Sequence, residues 1–107
     1  MKKYRIKIVP EAEEQLRKYL AYILFVLNNE QAYKAVKNDY YETLERLSEL
    51  AGIIRDPDEP ELLERGLKKI FFQRHDYVIL FRLREGCEPI AEIVKIFHTL
   101  EDYPNKI

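Results

Sequence analysis

With 107 residues the chain fits one compact domain, residues 1–107, and leaves no room for a second. Apolar residues make up 47% of it, enough for a real core and too many for a disordered segment. The formal net charge is −1, so whole-chain electrostatics do not mark a nucleic-acid binder, although a local basic patch stays open.

Tyr4, Ile6 and Ile8 alternate with Arg5 and Lys7, which predicts a half-buried strand from Lys3 to Val9. The same alternation gives Met1-Lys2-Lys3 no signal-peptide core to precede. Pro10 ends the strand, and Glu11, Glu13 and Glu14 follow at the start of a helix, where negative charge meets the positive end of the dipole. This first helix is expected over Glu11–Leu27, with Ala12, Leu16, Tyr19, Leu20, Ile23 and Leu27 as its buried stripe. Its end is apolar nearly all round through Tyr22, Leu24, Phe25 and Val26, so that end is either deeply packed or covered by a partner. The apolar run Tyr19–Leu27 falls short of the roughly 20 residues that span a bilayer.

Asn28-Asn29 stops one helix and caps the next, Glu30–Ala51, whose stripe is Ala32, Val36, Tyr40, Leu44, Leu47 and Leu50. Gly52 fits a helix C-terminal glycine. Ile53–Gly66 reads as a loop broken by Asp56-Pro57-Asp58-Glu59-Pro60, with Leu62-Leu63 tucking one short turn onto the core. Three strands follow, Lys69–Gln73, Tyr77–Leu83 and Ile90–Phe97, linked closely enough to form an antiparallel meander. The fold class is therefore α+β in the order β-α-α-β-β-β. The N-terminal strand and helical hairpin are expected to pack on one face of a small antiparallel sheet.

Two of these strands are apolar on both faces. Tyr77, Ile79, Phe81 and Leu83 oppose Val78 and Leu80; Ile90, Val94 and Ile96 oppose Ala91, Ile93 and Phe97. A helical hairpin covers one face of such a sheet. Either a partner chain covers the other, or loop Ile53–Gly66 and the C-terminal tail do. The residues expected at a partner surface are Val78, Leu80, Arg82, Val94 and Ile96 on the sheet, with Tyr22 and Phe25 on the helix.

Chemistry, if any, belongs at the strand ends. Arg74 lies in the turn Arg74-His75-Asp76, and His98 lies just beyond the last strand. Lys68 and Lys69 add positive charge nearby, and Tyr103 supplies a tail aromatic. Lone Cys87 has no partner for a disulfide, and no Cys/His cluster has zinc spacing, so neither metal nor cofactor is expected and a reduced cytoplasmic setting is the simplest.

The order and spacing of several segments resemble the RelE/ParE superfamily of bacterial type II toxins. They are Tyr4–Pro10 with Glu11-Ala12-Glu13-Glu14-Gln15-Leu16, Arg65–Lys69, Arg74–Leu83, and Ile93–His98 with Glu101-Asp102-Tyr103. The resemblance implies a growth-inhibiting toxin neutralised by a small antitoxin, whose C-terminal segment wraps it, and a possible homodimer or toxin–antitoxin hetero-oligomer. It implies one of two targets. RelE-like members cut messenger RNA on the ribosome; ParE-like members inhibit DNA gyrase. Metal-free RNA cleavage would use Arg74, His98, Lys69 and Tyr103 as cations, acid–base group and stacking aromatic. The tail Thr99-Leu100-Glu101-Asp102, however, is acidic where nuclease members carry cations, and it would repel phosphate. The resemblance is thus closer to the ParE-like, protein-binding branch, with an RNA endonuclease as the alternative and an inactive relative that keeps only antitoxin binding as a second.

Overall fold

A computed structural model describes residues 3–107. Four strands, β1 (Arg5–Ile8), β2 (Lys68–Phe71), β3 (Tyr77–Arg84) and β4 (Ile90–His98), form one sheet in the order β1-β4-β3-β2. β2–β3–β4 is the expected antiparallel meander. β1, expected to pack against the sheet with the helices, instead joins it as an edge strand parallel to β4, so the sheet is mixed. Its backbone finds partners there. Arg5 N–H donates to Pro89 C=O at 2.9 Å and Val9 N–H to Ile93 C=O at 3.0 Å, groups that packing on a face would have left unpaired.

Helix α1 (Pro10–Ala21) begins with proline in its first turn and buries Ala12 and Leu16. It runs into a π-helical turn, Tyr22–Val26, closed by Leu27 N–H to Tyr22 C=O at 3.0 Å. A π turn holds one extra residue, which rotates everything after it around the helix axis. Leu27, expected in the buried stripe, is for that reason more than half exposed, whereas Ile23 stays buried. Asn28 takes the left-handed backbone (φ 51°) that asparagine tolerates better than most residues. Asn29 then caps α2 (Glu30–Leu50), its Oδ1 accepting from Ala32 N–H at 2.9 Å.

Gly52 is not a left-handed cap. It sits in a short 3₁₀ turn, Ala51–Ile53, and a Cβ there would lie 3.1 Å from the Tyr4 ring, so its role is close approach. The glycine that does cap a helix is Gly66 (φ 67°), after the short α3 (Pro60–Glu64) in the expected loop. Leu67 N–H reaches Leu62 C=O at 2.9 Å and Gly66 N–H reaches Leu63 C=O at 3.0 Å, the two closing bonds of a Schellman turn. Gly66→Ala should cost about 1–2 kcal/mol, the penalty of a Cβ in left-handed backbone, read as a shifted urea midpoint at unchanged slope.

α1 and α2 cover one face of the sheet. Ile79, Phe81, Ile93 and Ile96 pack there with Leu16, Val36, Tyr40 and Leu47. Fully burying Phe81 alone contributes roughly 2–3 kcal/mol. The other face holds a second, smaller core. Val78, Leu80 and Phe97 lie under Leu62 of α3, Leu67 and Tyr103 of a final short turn, Tyr103–Asn105. Of the two ways to cover that face, the chain itself supplies much of the cover.

Candidate functional site

The β2–β3 turn that carries Arg74 is held from below by a residue the sequence reading passed over. Asp39 lies in the α2 stripe and is 1% exposed. Its Oδ1 accepts from Gln73 N–H at 3.1 Å and its Oδ2 from Arg74 N–H at 2.9 Å. His75 Nδ1 lies 2.7 Å from the same Oδ2. Burial alone would push the Asp39 carboxyl up, but the His75 ring and the two backbone N–H groups together outweigh it and hold it below the usual carboxylate range. An ionised carboxylate only accepts, so Nδ1 carries the hydrogen of this bond. His75 is a half-buried strut beneath this turn. The available signal was a charged residue flanked at helical spacing by Val36, Tyr40 and Thr43, all buried.

The Arg74 guanidinium pairs with Glu42 of α2. His98 lies in register with Tyr77 and packs edge-on against its ring, centroids 5.1 Å apart, on the face covered by α1. Its backbone N–H is shared between Tyr19 Oη at 3.2 Å and Glu101 Oε2 at 3.1 Å, and the Tyr19 hydroxyl donates to the same Glu101 carboxylate. Leu100 N–H donates to His98 Nδ1 at 3.1 Å, so in the neutral ring the hydrogen sits on Nε2. Burial, followed by the bond to Glu101, raises the Tyr19 hydroxyl well above its ordinary pKa.

Lys69 and Tyr103 come together elsewhere. Lys69 is in register with Leu80, and Tyr103 stacks on Phe97, both on the opposite face. They meet at Glu59: Lys69 Nζ lies 2.6 Å from Glu59 Oε2, and Tyr103 Oη 3.4 Å from it. The bond from Lys69 holds the Glu59 carboxyl below its ordinary range. The four residues named for cleavage are thus split. One pair is tied to Glu59 on one face, His98 is packed under α1 on the other, and Arg74 is paired with Glu42 on the turn.

The residues named for partner contact are also sorted by the structure. Val78, Leu80 and Ile96 have no exposed surface. Val78 and Leu80 lie in the second core, and Ile96 faces the helices. The cause for Ile96 is a bulge in β4. Leu80 pairs with Lys95 and Phe81 with Ile93, leaving Val94 as an extra residue. The expected alternation, Val94 with Ile96 against Ile93 with Phe97, therefore breaks. Ile93 and Ile96 share the helix face, while Val94 joins Phe97 on the other.

What stays exposed is Arg82, part of Val94 and the end of the helical hairpin. There the π turn presents Tyr22, Phe25, Val26 and Leu27, each more than half exposed and Phe25 at 77%. Beside them a shallow cleft of about 240 Å³ runs between Leu20, Leu24 and Tyr33, with Arg17 at its rim. Four adjoining large apolar side chains in water are unusual for an isolated domain. Among the described residues no group of His, Cys, Asp and Glu is arranged to hold a metal, and no helix is long and apolar enough to cross a membrane.

The family described as ParE toxin of type II toxin–antitoxin system, parDE, matches residues 6–103. Among solved structures, a chain of "Chromosomal ParDE TA system from P. aeruginosa" superposes with a TM-score of 0.66 at 21% identity, over 92% of this chain and 98% of that one, a likeness of fold. No curated protein matches the chain.

Proposed function

The chain belongs to the ParE toxin family of type II toxin–antitoxin systems, and from that premise we propose that it arrests growth by binding a protein target, DNA gyrase, rather than by cutting RNA. A cognate antitoxin neutralises it, and both act in the cytoplasm. The observation that carries this reading is the division of the would-be catalytic set between two faces of the sheet. General acid–base cleavage needs its groups within hydrogen-bond reach of one phosphodiester. Here Lys69 and Tyr103 converge on Glu59, away from the His98–Tyr77 stack. The His98 Nδ1 lone pair is taken by Leu100 N–H, and the nearest tail carboxylate, Glu101, is turned toward His98 N–H. An acidic, hydrogen-bonded tail repels phosphate. The exposed apolar end of the hairpin is instead suited to protein contact, and this reading gives it to the target.

Expression of the chain alone should arrest growth, and purified protein should inhibit gyrase-catalysed supercoiling. Transcripts from arrested cells should carry no codon-phased breaks. Breaks that appear with the wild-type chain and vanish in His98→Ala would overturn the reading in favour of an endonuclease. Arrest without gyrase inhibition or gyrase binding would remove gyrase as the target.

A further inference from the structure

From Ala21 to Asn29 the chain carries no charged residue. A regular helix would turn part of that run inward. The π turn instead leaves Tyr22, Phe25, Val26 and Leu27 more than half exposed. Irregular turns of this kind are rare and recur at functional positions. Phe25 stands at the lip of the cleft formed by Leu20, Leu24 and Tyr33, so a knob and a hole lie side by side on one surface. The cleft has a volume of about 240 Å³. A cavity of about 150 Å³ with an apolar lining already takes a benzene ring, so a phenylalanine ring fits. The cations beside the cleft are committed within the chain. Arg17 is paired with Glu14, and Lys37 lies over the Tyr33 ring, 5.6 Å from its centroid.

We propose that two copies of the chain pair through their hairpin ends about a twofold axis, the Phe25 ring of each entering the cleft of the other. A knob beside a hole is self-complementary under such an axis, since each copy offers what the other accepts. The area agrees. The exposed side chains and the lips of the cleft offer on the order of 600 Å² per copy, roughly 1,200 Å² for the pair, the lower edge of stable interfaces. An apolar interface of that size points to association at about 10 μM. Because the run at its centre is uncharged, two copies approach there without repulsion. A nucleic acid or an anionic membrane would need free cations at the same place, and Arg17 and Lys37 are occupied. This is also the surface assigned above to the target, so pairing covers it and the dimer is a masked form. That consequence, unlike the pairing itself, rests on the target reading.

Sedimentation equilibrium of the purified full-length chain tests the pairing. The wild type should pass from monomer at about 1 μM to mostly dimer at about 100 μM. Phe25→Glu should stay monomeric across that range, and Phe25→Ala, which removes the knob without adding charge, should pair about tenfold more weakly. Both should match the wild type in circular dichroism and melting, because the ring is exposed. A wild type that stays monomeric at about 100 μM would overturn the proposal. So would a dimer that persists in Phe25→Glu, since another surface would then hold it. Masking is read separately. Copies labelled with donor and acceptor at Gln31→Cys, in a Cys87→Ser background, should show energy transfer that disappears as gyrase is added. Transfer that survives saturating gyrase would overturn the masking. Pairing lost in Phe25→Glu with gyrase inhibition unchanged would establish the dimer surface and remove the target reading alone.

Discussion

Phe25→Glu should abolish growth arrest and inhibition of supercoiling while leaving the fold intact. The ring is 77% exposed on the π turn, so its replacement removes little buried area, and the expected change in stability is within about 0.5 kcal/mol. At an interface the same change places an unpaired carboxylate where Tyr22, Val26 and Leu27 would be desolvated against the target, which costs several kcal/mol of binding. A thermal melt within a few degrees of wild type, together with loss of gyrase inhibition by at least about a hundredfold, is the predicted pair of results. Leu100→Glu is the matched control. Among the described residues Leu100 is the most exposed large apolar one, but it lies on the C-terminal segment, so arrest should persist. Full arrest by Phe25→Glu would move the target surface away from the hairpin end.

Asp39→Ala should be the most destabilising single change, by about 3–5 kcal/mol. It strips three partners at once, Gln73 N–H, Arg74 N–H and the His75 ring, and frees the turn that links β2 to β3. The effect carries a pH signature. The folded-state pKa of Asp39 is depressed, so its contribution is fully present above the unfolded carboxylate value near 3.9 and disappears as pH falls through the folded value. The gap between wild type and Asp39→Ala in urea melts should accordingly be widest at neutral pH and shrink in acid. A gap that stays constant down to strongly acidic pH would mean that the carboxylate's charge is not what holds the turn. Glu59 and Glu101, also depressed, add to the acid slope of the wild type in the same direction and remain in the variant.

Most of the elements were legible from local periodicity. The alternation in Tyr4–Ile8, the 3.6-residue stripes of α1 and α2, the Asn28-Asn29 break and the meander of β2–β4 are short-range patterns, set by which side chains leave water together. Even the short turn at Leu62-Leu63 was visible, because Leu62 must bury and does. The candidate site was less legible, and for identifiable reasons. One extra residue in the π turn turned Leu27 outward, and one extra residue at Val94 reversed the faces of Ile96 and Phe97. Neither insertion leaves a mark in composition, since the π turn sits between Ala21 and Leu27 and Val94 simply follows another branched apolar residue, Ile93.

By itself, then, the chain's order of residues determined an α+β domain, its helical hairpin and the meander, because each depends on neighbours a few positions apart. Where β1 docks, which buried carboxylate anchors the Arg74 turn, and whether Lys69 and Tyr103 reach His98 were decided only in the tertiary structure. Each depends on contacts between residues from ten to more than eighty positions apart: Arg5 with Ile90, Asp39 with His75, and Lys69 with Glu59 beside Tyr103. Side-chain parity along a strand is conserved only until a bulge intervenes. The folded sheet, more than the alternation of its letters, set which residues face a partner and which lie inside.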